Sequence, residues 1–132
     1  MIGLDTNIVV RYLAQDDPTQ SLIATRIIEQ ELTEATPGFI SVVAMAETSW
    51  VLERAYGLAD REIAVAIESM LQTDVFSIEC EQEVFAAMIA LRDGRGAFAD
   101  ALIGALGAKA GCSHTLTFDR KALRLSDFAP VT

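Results

Sequence analysis

Only two cysteines, Cys80 and Cys112, occur in this chain of 132 residues, and they lie more than thirty positions apart with no histidine spaced to join them. That pattern excludes a disulfide framework or a Cys/His zinc site and predicts a reducing cytoplasm. The single histidine, His114, falls within a predicted strand and reads as structural. Nowhere is there an uninterrupted apolar run of ~20 residues, so no membrane span is expected. The opening Met1-Ile2-Gly3-Leu4-Asp5 lacks the basic and long apolar regions of a signal peptide. Positive charge is scarce too. Ten Lys and Arg face nineteen Asp and Glu, a net charge of −9. A general nucleic-acid coating function, which relies on many cationic contacts to phosphate, is therefore excluded. Any contact with RNA has to rest on a local basic patch, on bound metal ions or on a partner.

What the chain has in quantity is apolar residue, 52% of the total. At this length roughly 68% of the extended-chain surface can be buried, so one domain over 1–132 needs no staple. No repeat, linker or low-complexity segment divides it. The run ending at Leu4 predicts a buried strand, followed by a helix from Asn7 to Leu13. Asp16-Asp17-Pro18 then signals a helix start. Leu22, Ile23, Ile27, Ile28 and Leu32 recur at helical spacing through Thr19 to Leu32. Phe39-Ile40 is a second strand, and Ser41 caps a helix from Val42 to Tyr56 that stops at Gly57. Asp60 opens another helix, with Ile63, Ile67, Met70 and Leu71 as its stripe. Val75 to Ile78 predicts a third strand and Glu81 to Arg92 a helix broken at Gly94 and Gly96. Phe98 to Lys109 is a small-residue helix, His114 to Phe118 a fourth strand, and Phe128 to Val131 a short fifth. Alternating strands and helices imply parallel pairing and an α/β sandwich. In open parallel sheets, sites form at the carboxyl ends of the strands, where Asp5 and Asp119 fall.

Four carboxylates stand out. Asp5 can simply cap the helix that follows, yet Asp5-Thr6-Asn7 gathers three oxygen-bearing side chains at one strand end. Glu47 shares a helix face with Val43, Trp50 and Val51. A lone carboxylate buried there would cost several kcal/mol unless paired, neutralised or bound to metal; the alternative places it at the stripe's edge, in solvent. Asp100 lies one turn before Ile103 and Gly104. Gly104 and Gly107 each cost about 1 kcal/mol in a helix interior relative to Ala, which close packing against the sheet would offset. A favourable helix dipole alone would also account for Asp100. Asp119 reads equally as a turn aspartate. Clustered oxygen ligands suit hard ions such as Mg2+ or Mn2+. Such an ion activates water and steadies charge at a phosphodiester.

These residues resemble a known family. Leu4-Asp5-Thr6-Asn7 resembles the opening motif of PIN domains, and Ala46-Glu47 their glutamate. Phe98-Ala99-Asp100-Ala101-Leu102-Ile103 and Leu116-Thr117-Phe118-Asp119-Arg120 resemble the third and fourth acidic motifs. The four motifs occur in order over nearly the whole chain, at a length typical of VapC-type toxins. The resemblance implies a PIN-like three-layer sandwich with a five-stranded parallel sheet flanked by helices. It implies a Mg2+- or Mn2+-dependent ribonuclease in which Asp5, Glu47, Asp100 and Asp119 bind metal directly or through water. Thr6, Asn7 and Thr117 match positions that help hold the site. Such toxins form homodimers and are neutralised by a cognate VapB-type antitoxin whose C-terminal segment lies over the site. Many relatives carry a further acid where this chain has Ala97, so only one metal position is expected with assurance.

Other readings are weaker. Gly94-Arg95-Gly96-Ala97-Phe98-Ala99 fits a G-x-G-x-x-A pattern, but a dinucleotide fingerprint must follow a strand and this one follows a helix. Asp5-Thr6-Asn7 resembles aspartyl-phosphate phosphatases, except that Asn7 replaces their second aspartate. A noncatalytic binding module on the same fold is opposed by the presence of all four acids. The scarcity of positive charge has a local answer: Arg92, Arg95, Arg120, Lys121 and Arg124 flank two of the proposed ligands and make up half the basic residues. They are candidates for RNA contact, with solvated surface charge as the alternative.

Overall fold

Short strands and longer helices alternate through the computed structural model, which describes residues 1–132. The order is β1 (Ile2–Gly3), α1 (Thr6–Ala14), α2 (Gln20–Arg26), a π-helical turn (Ile27–Glu31), β2 (Gly38–Ile40), α3 (Val42–Arg54) and α4 (Asp60–Leu71). Then come β3 (Phe76–Ile78), α5 (Glu81–Arg92), α6 (Phe98–Lys109), β4 (Thr115–Thr117), a 3-10 turn (Ala122–Arg124) and β5 (Phe128–Pro130). All strand pairings are parallel, as alternation with helices dictates. β2 lies between β1 and β3, with Ile2 opposite Gly38 and Gly38 opposite Phe76, while β4 pairs with β5, Thr115 opposite Phe128. The five strands thus form ladders of three and two within an α/β fold.

Local chemistry sets the helix starts. Asp5 Oδ1 accepts from the Thr6 N–H (2.8 Å) and Ser41 Oγ from the Ala44 N–H (3.1 Å), each satisfying a free amide of the first turn. Asp17 Oδ1 accepts from Thr19 (3.0 Å) and Gln20 (2.7 Å), so the Asp-Asp-Pro signal does mark a helix entry. α4 starts at Asp60, with Glu62 reaching back to the Ala59 N–H (2.9 Å).

Three expectations need correction. The segment after Pro18 is not one regular helix: it widens at Ile27–Glu31, where the Leu32 N–H bonds the Ile27 carbonyl five residues back (2.9 Å). Ile28 and Leu32 are buried, whereas Leu22 and Ile23 face solvent. The added residue in the turn shifts the apolar set off a single 3.6-residue face. β4 is also shorter than the expected His114 to Phe118, because it pairs with β5 over only three residues. His114 and Phe118 therefore lie outside the strand and are exposed.

One core of 22 buried residues underlies these elements, with Val9, Ile40, Met45, Ile67 and Val84 fully enclosed. α6 comes unusually close to the second ladder. A methyl group added at Gly104 would stand 2.8 Å from the Phe128 ring and 2.9 Å from Asp127 Cβ, and one at Gly107 2.7 Å from Thr115 Oγ1. The glycines of α6 are explained by this approach. No helix is long and apolar enough to cross a membrane.

Candidate active site

The four acids are carried by four separate places in the chain. Asp5 ends β1 and caps α1, so its carboxylate is held where the strand delivers it. Thr6, buried beside it, donates its hydroxyl to Glu47 Oε1 (2.8 Å) across forty-one residues of sequence. Asp5, Thr6 and Glu47 are thereby joined at the start of α1. Asp100 occupies the first turn of α6 and is half-buried. Its carboxyl is raised above the ordinary aspartate value, first by burial and then by the negative charge of Asp119. Asp119 forms a tight turn: its Oδ1 accepts from the Lys121 N–H (2.8 Å) while its own N–H donates to Thr117 Oγ1 (2.9 Å). The turn reading and a site role for Asp119 are compatible, since one oxygen remains outside that bond.

Glu47 is where the sequence misled. Its apolar neighbours suggested a buried face, yet Glu47 is exposed, and Val43 (67% exposed) and Trp50 (45%) are exposed with it. No desolvation cost therefore needs offsetting. The stripe is real but points outward. With Ala46 and, from α6, Ala99, Leu102, Ile103 and Leu106, it lines an entirely apolar groove. Nearer the start of α6, Ser49, Trp50 and Glu53 face Ala97 and Phe98. The two helices thus run antiparallel, with Glu47 and Asp100 each next in sequence to a residue that lines the groove, Ala46 and Ala99.

Of the other expected positions, Asn7 is exposed and bonds none of the four acids. Arg92 and Arg95 are exposed and share Asp93 as an ion-pair partner (3.3 and 3.9 Å). Exposed pairs of this kind contribute little, but Asp93 lowers the local positive charge. Arg124 reaches back to the Gly94 carbonyl (2.6 Å), bringing it beside the Arg92–Arg95 turn. Gly94 has a positive φ of 71°, and the Arg95 N–H closes α5 by bonding the Ala90 carbonyl (2.9 Å). Arg120 and Lys121 are exposed beside Asp119.

The donor set is chemically that of a hard cation: carboxylates and a hydroxyl, with no sulfur or imidazole. No three His, Cys, Asp or Glu side chains stand close enough to form a ready-made cage. Mg2+ does not require one, because it keeps several waters and is usually held by one or two carboxylates with substrate phosphate. Asp100, whose charged form is disfavoured by burial and then by the charge of Asp119, fits such an ion. A family model for the PIN domain matches residues 2–127.

The chain belongs to the PIN domain family.

PIN domains are typically nuclease domains that act on RNA or other nucleic acid and generally use divalent metals such as Mg2+. The α/β architecture of this PIN domain is the one its sequence predicted. No match is found among curated proteins or solved structures.

Proposed function

We propose that this PIN domain, taken as one unit over 1–132, is a cytoplasmic VapC-type endoribonuclease toxin that hydrolyses RNA with Mg2+ or Mn2+. The observation that carries this reading is the PIN family match over residues 2–127, which spans all four acids, with Asp100 half-buried at the start of α6. A carboxylate whose charged form is disfavoured by burial first and by the charge of Asp119 second gains from a divalent cation, which would lower the pKa of bound water and neutralise charge at the scissile phosphate. In this reading Asp100 and Asp119 hold the ion, and Asp5 and Glu47 complete the site directly or through water. Thr6 orients Glu47, Thr117 fixes the Asp119 turn, and Asn7 borders the strand end. Arg92, Arg95, Arg120, Lys121 and Arg124 bind the RNA backbone.

A Mg2+-dependent RNA cleavage assay tests this. Wild type is expected to cut and Asp100→Asn to lose cleavage. No metal-dependent cleavage by either protein would leave the noncatalytic binding module, cleavage unchanged in Asp100→Asn would remove Asp100 from the site, and covalent phosphorylation of Asp5 would favour a phosphatase. The toxin assignment further expects a cognate VapB-type antitoxin. A short DNA-binding-protein gene found immediately upstream would support it, and failure of that gene's product to suppress cleavage would remove it. The homodimer is supported by the outward apolar face of Val43, Trp50 and Ile103 (53% exposed), since contiguous exposed apolar surface marks interaction sites. Sedimentation should show a dimer that Trp50→Glu dissociates; a wild-type monomer at micromolar concentration would exclude this face as its interface.

A further inference from the structure

On the other side of α6 from the apolar groove lies a cleft of about 400 Å³, within the range of small-molecule sites. α5 forms one wall, residues 125–127 the other, and Ala101 and Ala105 of α6 the floor. Alanines leave that floor shallow and flat. Phe85, 43% exposed, stands over it from the α5 wall. The two ends of the cleft differ in chemistry. Arg95 closes the end at the start of α6, and its only ion-pair contact is the long one to Asp93 (3.9 Å). At the other end are Gln82 and Asp127, whose carboxylate enters no ion pair and lies against Gly104. From Phe98 to Gly104 the helix rises roughly 9 Å at 1.5 Å per residue. That is of the order of the span from a base edge to its phosphate in a nucleotide.

We propose that this cleft is a guanine-nucleotide subsite for the RNA strand, with Phe85 stacking the base, Asp127 reading its edge and Arg95 holding the adjacent phosphate. The inference rests on the nuclease reading for its substrate and extends it to base selection. A flat apolar floor beneath a half-exposed aromatic accepts any base, because every base has a π-face. The carboxylate supplies the choice. It only accepts hydrogen bonds, and guanine alone presents two donors side by side, N1–H and N2–H, to such a group. Adenine and cytosine each place a ring acceptor beside their amino group, and uracil flanks its single donor with carbonyls. The Gln82 amide can donate to guanine O6. Asp100 immediately precedes Ala101 of the floor, so a strand seated here passes along the same helix as the proposed metal site.

The test is a titration of the 15N-labelled full-length protein, without divalent metal, with GMP, AMP, CMP and UMP. GMP is expected to shift amides of residues 82–90 and 125–127 and to bind about tenfold or more tighter than AMP. Asp127→Asn should abolish that preference, and Phe85→Ala should weaken all four nucleotides, with each variant's spectrum reporting whether it is folded. Equal affinity for GMP and AMP, or a preference unchanged in Asp127→Asn, would overturn the proposal. A hexaribonucleotide containing one guanine should bind at least as tightly as GMP; its exclusion would make this a free-nucleotide site and overturn the RNA subsite. Because binding is read without metal, loss of Mg2+-dependent cleavage alone would sink the nuclease reading and leave the guanine preference intact.

Discussion

At Asp100, two influences on one carboxylate act in the same direction. Burial disfavours the charged form first and the negative charge of Asp119 second, and both raise the pKa above the ordinary aspartate value. An acid whose folded-state pKa is raised binds protons more readily when folded than when unfolded. Its charge therefore lowers stability as pH rises from the ordinary aspartate value, about 3.9, through the raised one. Asp100→Asn removes that charge with little change of shape. It should raise the melting temperature of the metal-free protein at pH 7, and the gain over wild type should shrink as pH falls toward the ordinary value. Paired thermal melts across this range check it. A variant less stable than wild type at pH 7 would mean that Asp100 is held by favourable contacts instead. Mg2+ should then stabilise wild type by binding the folded state, and Asp100→Asn should respond much less. A residue that costs stability in the free protein and gains it with a ligand is behaving as part of a site.

At the scale of the element, α6 shows how far a sequence can be read. Its two glycines pointed to a close approach, and the structure supplies the surfaces they approach, Phe128 and Asp127 at Gly104 and Thr115 at Gly107. Gly104→Ala would gain about 1 kcal/mol of helix propensity, but overpacking typically costs 1–3 kcal/mol. Here the new methyl meets Asp127 Cβ, which cannot rotate away, so packing should win. Urea unfolding should show a net loss on the order of 1 kcal/mol, and a stabilised variant would mean that the second ladder can withdraw from α6 freely. The strands and the caps at Asp5, Asp17 and Ser41 were equally legible, because each depends on residues a few positions apart. The widened turn at Ile27–Glu31 was not, since a π-helical turn leaves the composition of an amphipathic helix unchanged. Nor was the orientation of α3. Val43, Glu47 and Trp50 share a face in any helix, but periodicity cannot say whether that face meets the core or the solvent. The link from Thr6 to Glu47 was hidden for a related reason, as no local pattern joins residues forty-one positions apart.

At the scale of the molecule, charge poses the question. A nuclease carrying −9 repels its polyanionic substrate at long range, and the Debye length of about 8 Å at physiological salt confines attraction to nearby groups. Arg124 is drawn to Gly94, between Arg92 and Arg95, so three of the ten basic residues gather at the turn that leads into α6. The proximity favours a local patch over scattered surface charge, although Asp93 offsets part of it. Each phosphate contact to a single strand contributes about 0.7 to the slope of log affinity against log salt. Reversing Arg92 and Arg95 together to Glu should weaken RNA binding and flatten that slope by roughly 1.4, two such contacts. Binding isotherms across a salt series measure it. Asp93→Asn should act in the opposite sense by releasing both guanidinium groups, strengthening binding most at low salt. If neither change moved the slope, the turn would be excluded as the RNA contact, leaving Arg120 and Lys121 beside Asp119. On an acidic protein a patch this small supplies only part of the attraction, so added Mg2+ should strengthen RNA binding beyond what the metal-free protein achieves.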